Sequence, residues 1–193
     1  MPMAASGKLV QRADFNDLEA EQHMMSPITK DDGAIVKSFS ASGKKFNLYD
    51  ANHRDAESGF FIATNVNSTE QIVGYVLLNS QKICGMNVFK IFLVRLDEDY
   101  QGLGIGTELY KLLASIKGVM SDDTQYFESR KLWAKLSTLP GYTVHAVNPK
   151  TCKLIAKDVE LVQTSSRTEF DKRFFSDTDQ SMKDVVFLLK KSN

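Results

Sequence analysis

A mixed α/β (α+β) fold, with a mostly antiparallel sheet flanked by helices, is what this sequence predicts, and three observations carry it. First, Val88–Leu96 is nearly continuous in Val, Ile, Leu and Phe, broken only by Lys90 and Arg95. That suits a strand covered on both faces. Second, the period changes from Ile105: Ile105, Leu109, Leu112, Leu113 and Ile116 fall on one face of an amphipathic helix ending near Gly118. A strand after it, at Val119–Asp122, would lie parallel to Val88–Leu96 through a right-handed crossover. Third, Phe60–Thr64 and Ile72–Asn79 flank the polar, turn-rich Asn65–Gln71, which reads as an antiparallel hairpin.

The remaining elements follow in order. Residues 1–45 form a poorly defined leader: Ala13–Met25 reads as a short helix capped by Asp14 or as irregular chain, stopped by Pro27 and Asp31-Asp32-Gly33. Phe46–Tyr49 is a first strand and Asn52–Gly59 a loop. Gly74, inside the strand Ile72–Asn79, signals a bulge or close packing. Thr124–Leu136 reads as a helix around Trp133, closed by Leu139-Pro140-Gly141. Tyr142–Val147 and Leu154–Val162 are strands joined through the turn residues Asn148-Pro149-Lys150. Thr164–Met182 is polar and reads as loop with a helical turn. Asp184–Lys190 is strand or short helix, and its β-branched residues favour strand.

Composition narrows the function classes. The 193 residues suit a single domain spanning 1–193, and 42% apolar and 25% charged residues are ordinary globular usage. With 24 basic and 24 acidic side chains the net charge is zero, so nothing points to nucleic acid or to an anionic membrane. Lys150, Lys153 and Lys157 cluster on the late hairpin, where a solvated sheet edge explains them. No run approaches the ~20 apolar residues of a membrane span, and the N-terminus lacks the apolar core of a signal peptide. A cytoplasmic protein is therefore expected. The two cysteines, Cys84 and Cys152, lie in apolar-rich segments and are read as buried thiols; no metal-ligand spacing accompanies them, so no metal site is expected.

The richest chemistry lies between strand and helix, at Gln101-Gly102-Leu103-Gly104-Ile105-Gly106. Its glycines permit positive φ and close approach of a ligand to the main chain. The loop opens into a helix N-terminus, where about four N–H groups lack intrahelical partners and the dipole favours an anion. Thr107 adds a hydroxyl. A phosphate or pyrophosphate seat follows from this, against the plainer reading of a glycine turn with no ligand. The Walker A pattern fails because no Gly-Lys-Ser/Thr follows. The Rossmann pattern fails because the spacing is G-x-G-x-G.

The run Tyr100-Gln101-Gly102-Leu103-Gly104-Ile105-Gly106-Thr107-Glu108-Leu109 resembles the acetyl-CoA motif of the GNAT (Gcn5-related N-acetyltransferase) superfamily, with Gln101, Gly104 and Gly106 at its key positions. Gly74-Tyr75-Val76 and Gly141-Tyr142 are similar to further family spellings. The resemblance implies a GNAT fold whose sheet splays between its fourth and fifth strands, with residues 88–118 as the acetyl-CoA-binding core. Acetyl-CoA is the implied cosubstrate, held by Gln101, Gly102, Leu103, Gly104, Ile105, Gly106 and Thr107. The resemblance also puts unpaired N–H groups at about Val94 and Leu96, facing pantetheine amides and the thioester carbonyl. Ser121-Asp122 with Leu132-Trp133-x-x-Leu136 looks similar to small members encoded by bacteriophages, which would make the compartment the host cytoplasm.

The implied activity is transfer of an acetyl group to a primary amine of a small molecule or protein. The chain departs from the family pattern twice: Trp133 stands where many members place a tyrosine acid, and Lys90 where histone-type members place a glutamate base. Ser121, Asp122 and Tyr126 are the substitute candidates for catalysis. Without such groups, the alternative is a weakly active or inactive domain that binds CoA or a protein partner. The expected partner is the amine acceptor, with a homodimer admitted and neither membrane nor nucleic acid expected.

Overall fold

The computed structural model describes residues 25–28, 34–50, 59–122, 127–156 and 185–192, with no side-chain detail over 127–131. The described residues form nine strands and two α-helices. They are β1 (Ile35–Ala41), β2 (Lys44–Asp50), β3 (Gly59–Val66), β4 (Thr69–Ile83), β5 (Met86–Leu96), α1 (Ile105–Ile116), β6 (Gly118–Met120), α2 (Phe127–Leu136), β7 (Tyr142–Asn148), β8 (Lys153–Ala156) and β9 (Val186–Lys191). The strands hydrogen-bond in the order β1-β2-β3-β4-β5-β6-β9-β7-β8. Among the described residues β5–β6 pair in parallel and β1–β2, β2–β3, β3–β4, β6–β9, β7–β8 and β7–β9 antiparallel, so the sheet is mixed and largely antiparallel, as the sequence predicts. The helix read over Ala13–Met25 and the polar stretch Thr164–Met182 lie outside the described residues, apart from Met25 itself, which is in a turn.

The contacts divide the described chain into two compact units. One contains the described residues up to Asn79 together with Ile91–Leu112; the other contains Ser80–Lys90 and the described residues from Leu113 onward.

In the first unit, two antiparallel hairpins close through two-residue turns. Ser42-Gly43 joins β1 to β2 and Asn67-Ser68 joins β3 to β4, with φ of 47°, 75°, 49° and 69°. Positive φ at both central residues is the type I′ signature that matches strand twist. β1 itself escapes the sequence reading because it is an exposed edge: Ile35 and Val36 face solvent, and only Ala41 is buried. The turn Asn67-Ser68 is tighter than the expected Asn65–Gln71, so β4 starts earlier and runs longer. Gly74 fulfils both readings made of it. The register with β3 shifts beside it, from Ile62↔Gly74 to Ala63↔Ile72. A Cβ there would also lie 2.6 Å from the Arg95 carbonyl oxygen. Tyr49, Phe61, Ala63, Ile72, Tyr75 and Leu77 form this unit's core. Above it, the Glu70 carboxylate accepts from Asn47 and from the Tyr49 hydroxyl (2.7 Å), while Ser38 donates to Asn47 Oδ1.

In the second unit, β6 pairs with β5 at Val88–Lys90 and with β9 at Val119↔Leu189 and Met120↔Leu188. β9 then pairs along β7, from Tyr142↔Lys191 to Val147↔Val186, so the stretch expected as strand or short helix is strand from Val186, while Asp184 lies outside the described residues. Trp133 is 1% exposed, with its ring 5.6 Å from that of Phe187. α2 ends at Leu136, the last helical residue expected, and Gly141 in the following Leu139–Gly141 takes φ of 77°.

The cysteines are a correction. Cys84 and Cys152 are not two buried thiols but one disulfide, with Cα atoms 5.4 Å apart. Both sit in turns at positive φ, 52° and 56°. An apolar neighbourhood in sequence misled here because the hairpin tips project from the strands that supply it.

Candidate functional site

The site begins where β5 ends. Asp97 stops the strand and its Oδ1 accepts the Asp99 N–H (3.1 Å), starting the single 3-10 turn Glu98–Tyr100. Tyr100 is buried edge-on against Phe46, with centroids 6.4 Å apart. That anchor sets the point from which the glycine loop departs. Gln101 folds back, its Nε2 donating to the Leu96 carbonyl (3.0 Å), so this side chain fastens the loop to the strand end.

Gly102 and Gly104 take φ of 74° and 77°, in the left-handed region that favours glycine. A Cβ on either would meet nothing within 4 Å, so backbone conformation, not space, selects glycine here. The first helical bond of α1 joins Glu108 N–H to the Gly104 carbonyl (3.2 Å). The N–H groups of Ile105, Gly106 and Thr107 therefore precede the intrahelical ladder and form the positive end of the helix. Ile105 and Thr107 are buried, which roots the loop in the unit. Glu108 pairs with Lys111 at 2.8 Å and lies on the first turn, where an acid complements the dipole.

Two side chains that the sequence reading missed touch this loop. The Ser42 hydroxyl donates to the Leu103 carbonyl (2.9 Å) across 61 residues, and Lys44 Nζ lies 5.2 Å from the Tyr100 ring centroid. The Ser-Gly turn was a legible signal for the hairpin, but its docking on the loop is a tertiary fact.

Val94 and Leu96 lie on β5 beyond Lys90, which pairs with Met120 at the end of the β5–β6 register. Both are half-buried. The helix face is shifted from the expected stripe: Ile105, Leu109 and Leu113 are buried, but Tyr110 and Ala114 join them while Ile116 is 43% exposed. Burial pushes the Tyr110 phenol well above its ordinary value of 10.0.

In the other unit, Ser121 and Asp122 follow β6. Ser121 is buried, and its hydroxyl accepts the Phe187 N–H (2.9 Å) and donates to the Asp122 carbonyl (3.2 Å). Its N–H donates to the Phe187 carbonyl (2.9 Å). The Asp122 carboxylate pairs with Lys90 Nζ at 3.0 Å, both side chains being largely buried. Thus the lysine standing where a glutamate base is familiar is the partner of the carboxylate proposed to replace it. Tyr126 lies outside the described residues. Among the described residues no group of three or more His, Cys, Asp or Glu side chains is placed to hold a metal ion, and no helix is long and apolar enough to cross a membrane.

A strand, a loop with two left-handed glycines and a helix, set against a largely antiparallel sheet, define the class as a mixed α/β protein with a glycine loop at the start of α1. The family model described as "Acetyltransferase (GNAT) family" matches residues 14–117, just over half of the chain, and the chain belongs to that family. A comparison with curated proteins found no match.

Proposed function

We propose that this chain is an acetyl-CoA-dependent N-acetyltransferase acting on a primary amine of a small molecule or protein. The observation that carries the reading is the loop Gln101–Gly106, with Gly102 and Gly104 in left-handed conformations, leading into α1 inside the family-matched region. The N–H groups of Ile105, Gly106 and Thr107 hold the pyrophosphate, and Gln101, Gly102 and Leu103 shape the cradle. Backbone N–H groups at about Val94 and Leu96 bond the pantetheine amides and the thioester carbonyl oxygen, where charge grows as the amine attacks. The ammonium gives one proton to a base, the freed lone pair forms the C–N bond as the C–S bond breaks, and the second proton leaves the nitrogen for the departing thiolate.

Asp122 is assigned as the base. Its charge partner, Lys90, restrains the carboxylate, and Ser121 acts as a positioning residue, because its hydroxyl is already committed to Phe187 and to the Asp122 backbone. Tyr126 remains assigned as a candidate acid. Calorimetry with acetyl-CoA tests the binding half: absence of heat at millimolar cofactor overturns the proposal, and Gly104→Trp should abolish binding. Thiol release over a panel of amines tests the chemistry. Asp122→Asn should lower kcat roughly 10²-fold or more with the acetyl-CoA Kd unchanged.

A second reading, a domain that binds CoA or a protein partner without turnover, is favoured by Trp133. Its ring is packed in the core against Phe187, and an indole N–H is no practical acid. Acetylated product on any amine, lost in Gly104→Trp, rules it out.

A further inference from the structure

We propose that Cys84 and Cys152 form an exchangeable tie that pins the β4–β5 turn to the β7–β8 turn, and that reduction by a dithiol or by glutathione releases the β7–β8 tip. The inference is independent of acetyl transfer. These are the only cysteines of the chain, and they are joined across 68 residues. Neither lies within a strand ladder. Cys84 is the first residue of the two-residue turn between β4 and β5, and Cys152 closes the four-residue loop between β7 and β8. Cys152 is exposed and Cys84 half-exposed, so a small thiol reaches the bond without unfolding the core.

The two tips differ in what else holds them. Beside Cys84, Ile83 and Met86 pack on the apolar cluster of Val88, Met120, Val147, Val186 and Leu188. Among the described residues, the β7–β8 tip beyond Val147 has no member in that cluster. β8 is a four-residue strand at the end of the sheet order, paired with β7 at Ala146↔Ala156, Val147↔Leu154 and Asn148↔Lys153 with an irregular register. Its loop is closed by Asn148 Oδ1, which accepts the N–H groups of Lys150 and Thr151 (3.0 Å each). Short edge strands open at low free energy, and the disulfide adds a covalent restraint to the three-pair ladder of β8.

The exchange balances simply. A reductant thiolate attacks Cys152 Sγ, forming a mixed disulfide, and Cys84 Sγ leaves with the electron pair and takes a proton. The reductant's second thiol, or a second glutathione, displaces Cys152, which also takes a proton. Two protein thiols and one oxidised reductant result. A thiol-rich compartment therefore holds the β7–β8 tip open, and an oxidising one holds it tied.

The test uses the full chain purified without reductant. Non-reducing peptide mapping should give a linked Cys84–Cys152 peptide, with no thiol reactive toward a small alkylating agent before dithiothreitol and two after it. Hydrogen exchange of the folded protein with and without dithiothreitol should rise at least tenfold across 149–156, less across 81–88, and not at all across 59–79. Mixtures of reduced and oxidised glutathione should convert one form to the other. A Cys84→Ser/Cys152→Ser chain should reproduce the reduced pattern; if it fails to fold, reduction of the unaltered chain carries the test. Two reactive thiols in the unreduced protein would overturn the proposal. So would a bond that glutathione leaves intact in the folded state, or exchange across 149–156 that reduction does not change.

Discussion

At the scale of single residues, two glycines do different work. Gly104 faces open space at φ of 77°, whereas a Cβ on Gly74 would press 2.6 Å from a β5 carbonyl oxygen. Gly104→Ala should therefore destabilise only through backbone conformation, by about 1–2 kcal/mol, while shifting the loop and weakening acetyl-CoA binding. Gly74→Ala must displace β5 or the bulge and should cost about 1–3 kcal/mol without touching the loop directly. Urea unfolding combined with acetyl-CoA titration separates the two, and equal effects on stability and binding at both positions would contradict this account. Tyr110 supplies a pH dependence. Its phenol is raised above 10.0 by burial, so the folded state holds that proton more tightly than the unfolded chain. Stability is therefore complete below pH about 10 and falls as pH rises further. A tyrosinate absorbance titration of the six tyrosines should show Tyr110 ionising only as the chain unfolds, and Tyr110→Phe should remove that part of the alkaline loss.

At the scale of elements, the β1–β2 hairpin is the part of the candidate site that sequence patterns could not place. Ser42 looks like an ordinary turn residue, yet its hydroxyl holds the Leu103 carbonyl. Ser42→Ala should raise the acetyl-CoA Kd by roughly three- to tenfold, the equivalent of one exposed hydrogen bond of about 1 kcal/mol, with little change in stability. Calorimetry against dephospho and full-length cofactor would read it, and an unchanged Kd would detach the hairpin from the site. The Glu70 network ties β1, β2 and β4 by side chains rather than ladders. Glu70→Ala removes the acceptor of the Asn47 amide and the Tyr49 hydroxyl and should cost about 2–3 kcal/mol, seen as a lower urea midpoint at constant slope. The element order from β2 to α2 was largely legible because β-rich apolar runs and the 3.6-residue period of α1 are local signals. β1 was not legible because an edge strand has only one neighbour and little to bury.

At the scale of the whole molecule, the disulfide closes a loop across 68 residues. Reduction should lower the unfolding free energy by about 2–4 kcal/mol, measured by urea denaturation with and without dithiothreitol; coincident curves would show that the tie adds no stability. The sequence by itself determined the mixed sheet, the strand–loop–helix passage at Val88–Gly118 and the family to which it belongs. These rest on composition and spacing within a few tens of residues. Tertiary structure decided the rest. It joined Lys90 to Asp122, committed the Ser121 hydroxyl to β9, docked Ser42 on the glycine loop and brought two distant turns close enough for their cysteines to bond. Each of those depends on strand register and on which hairpin tips meet. Register is set by burial across the sheet, which no local pattern encodes.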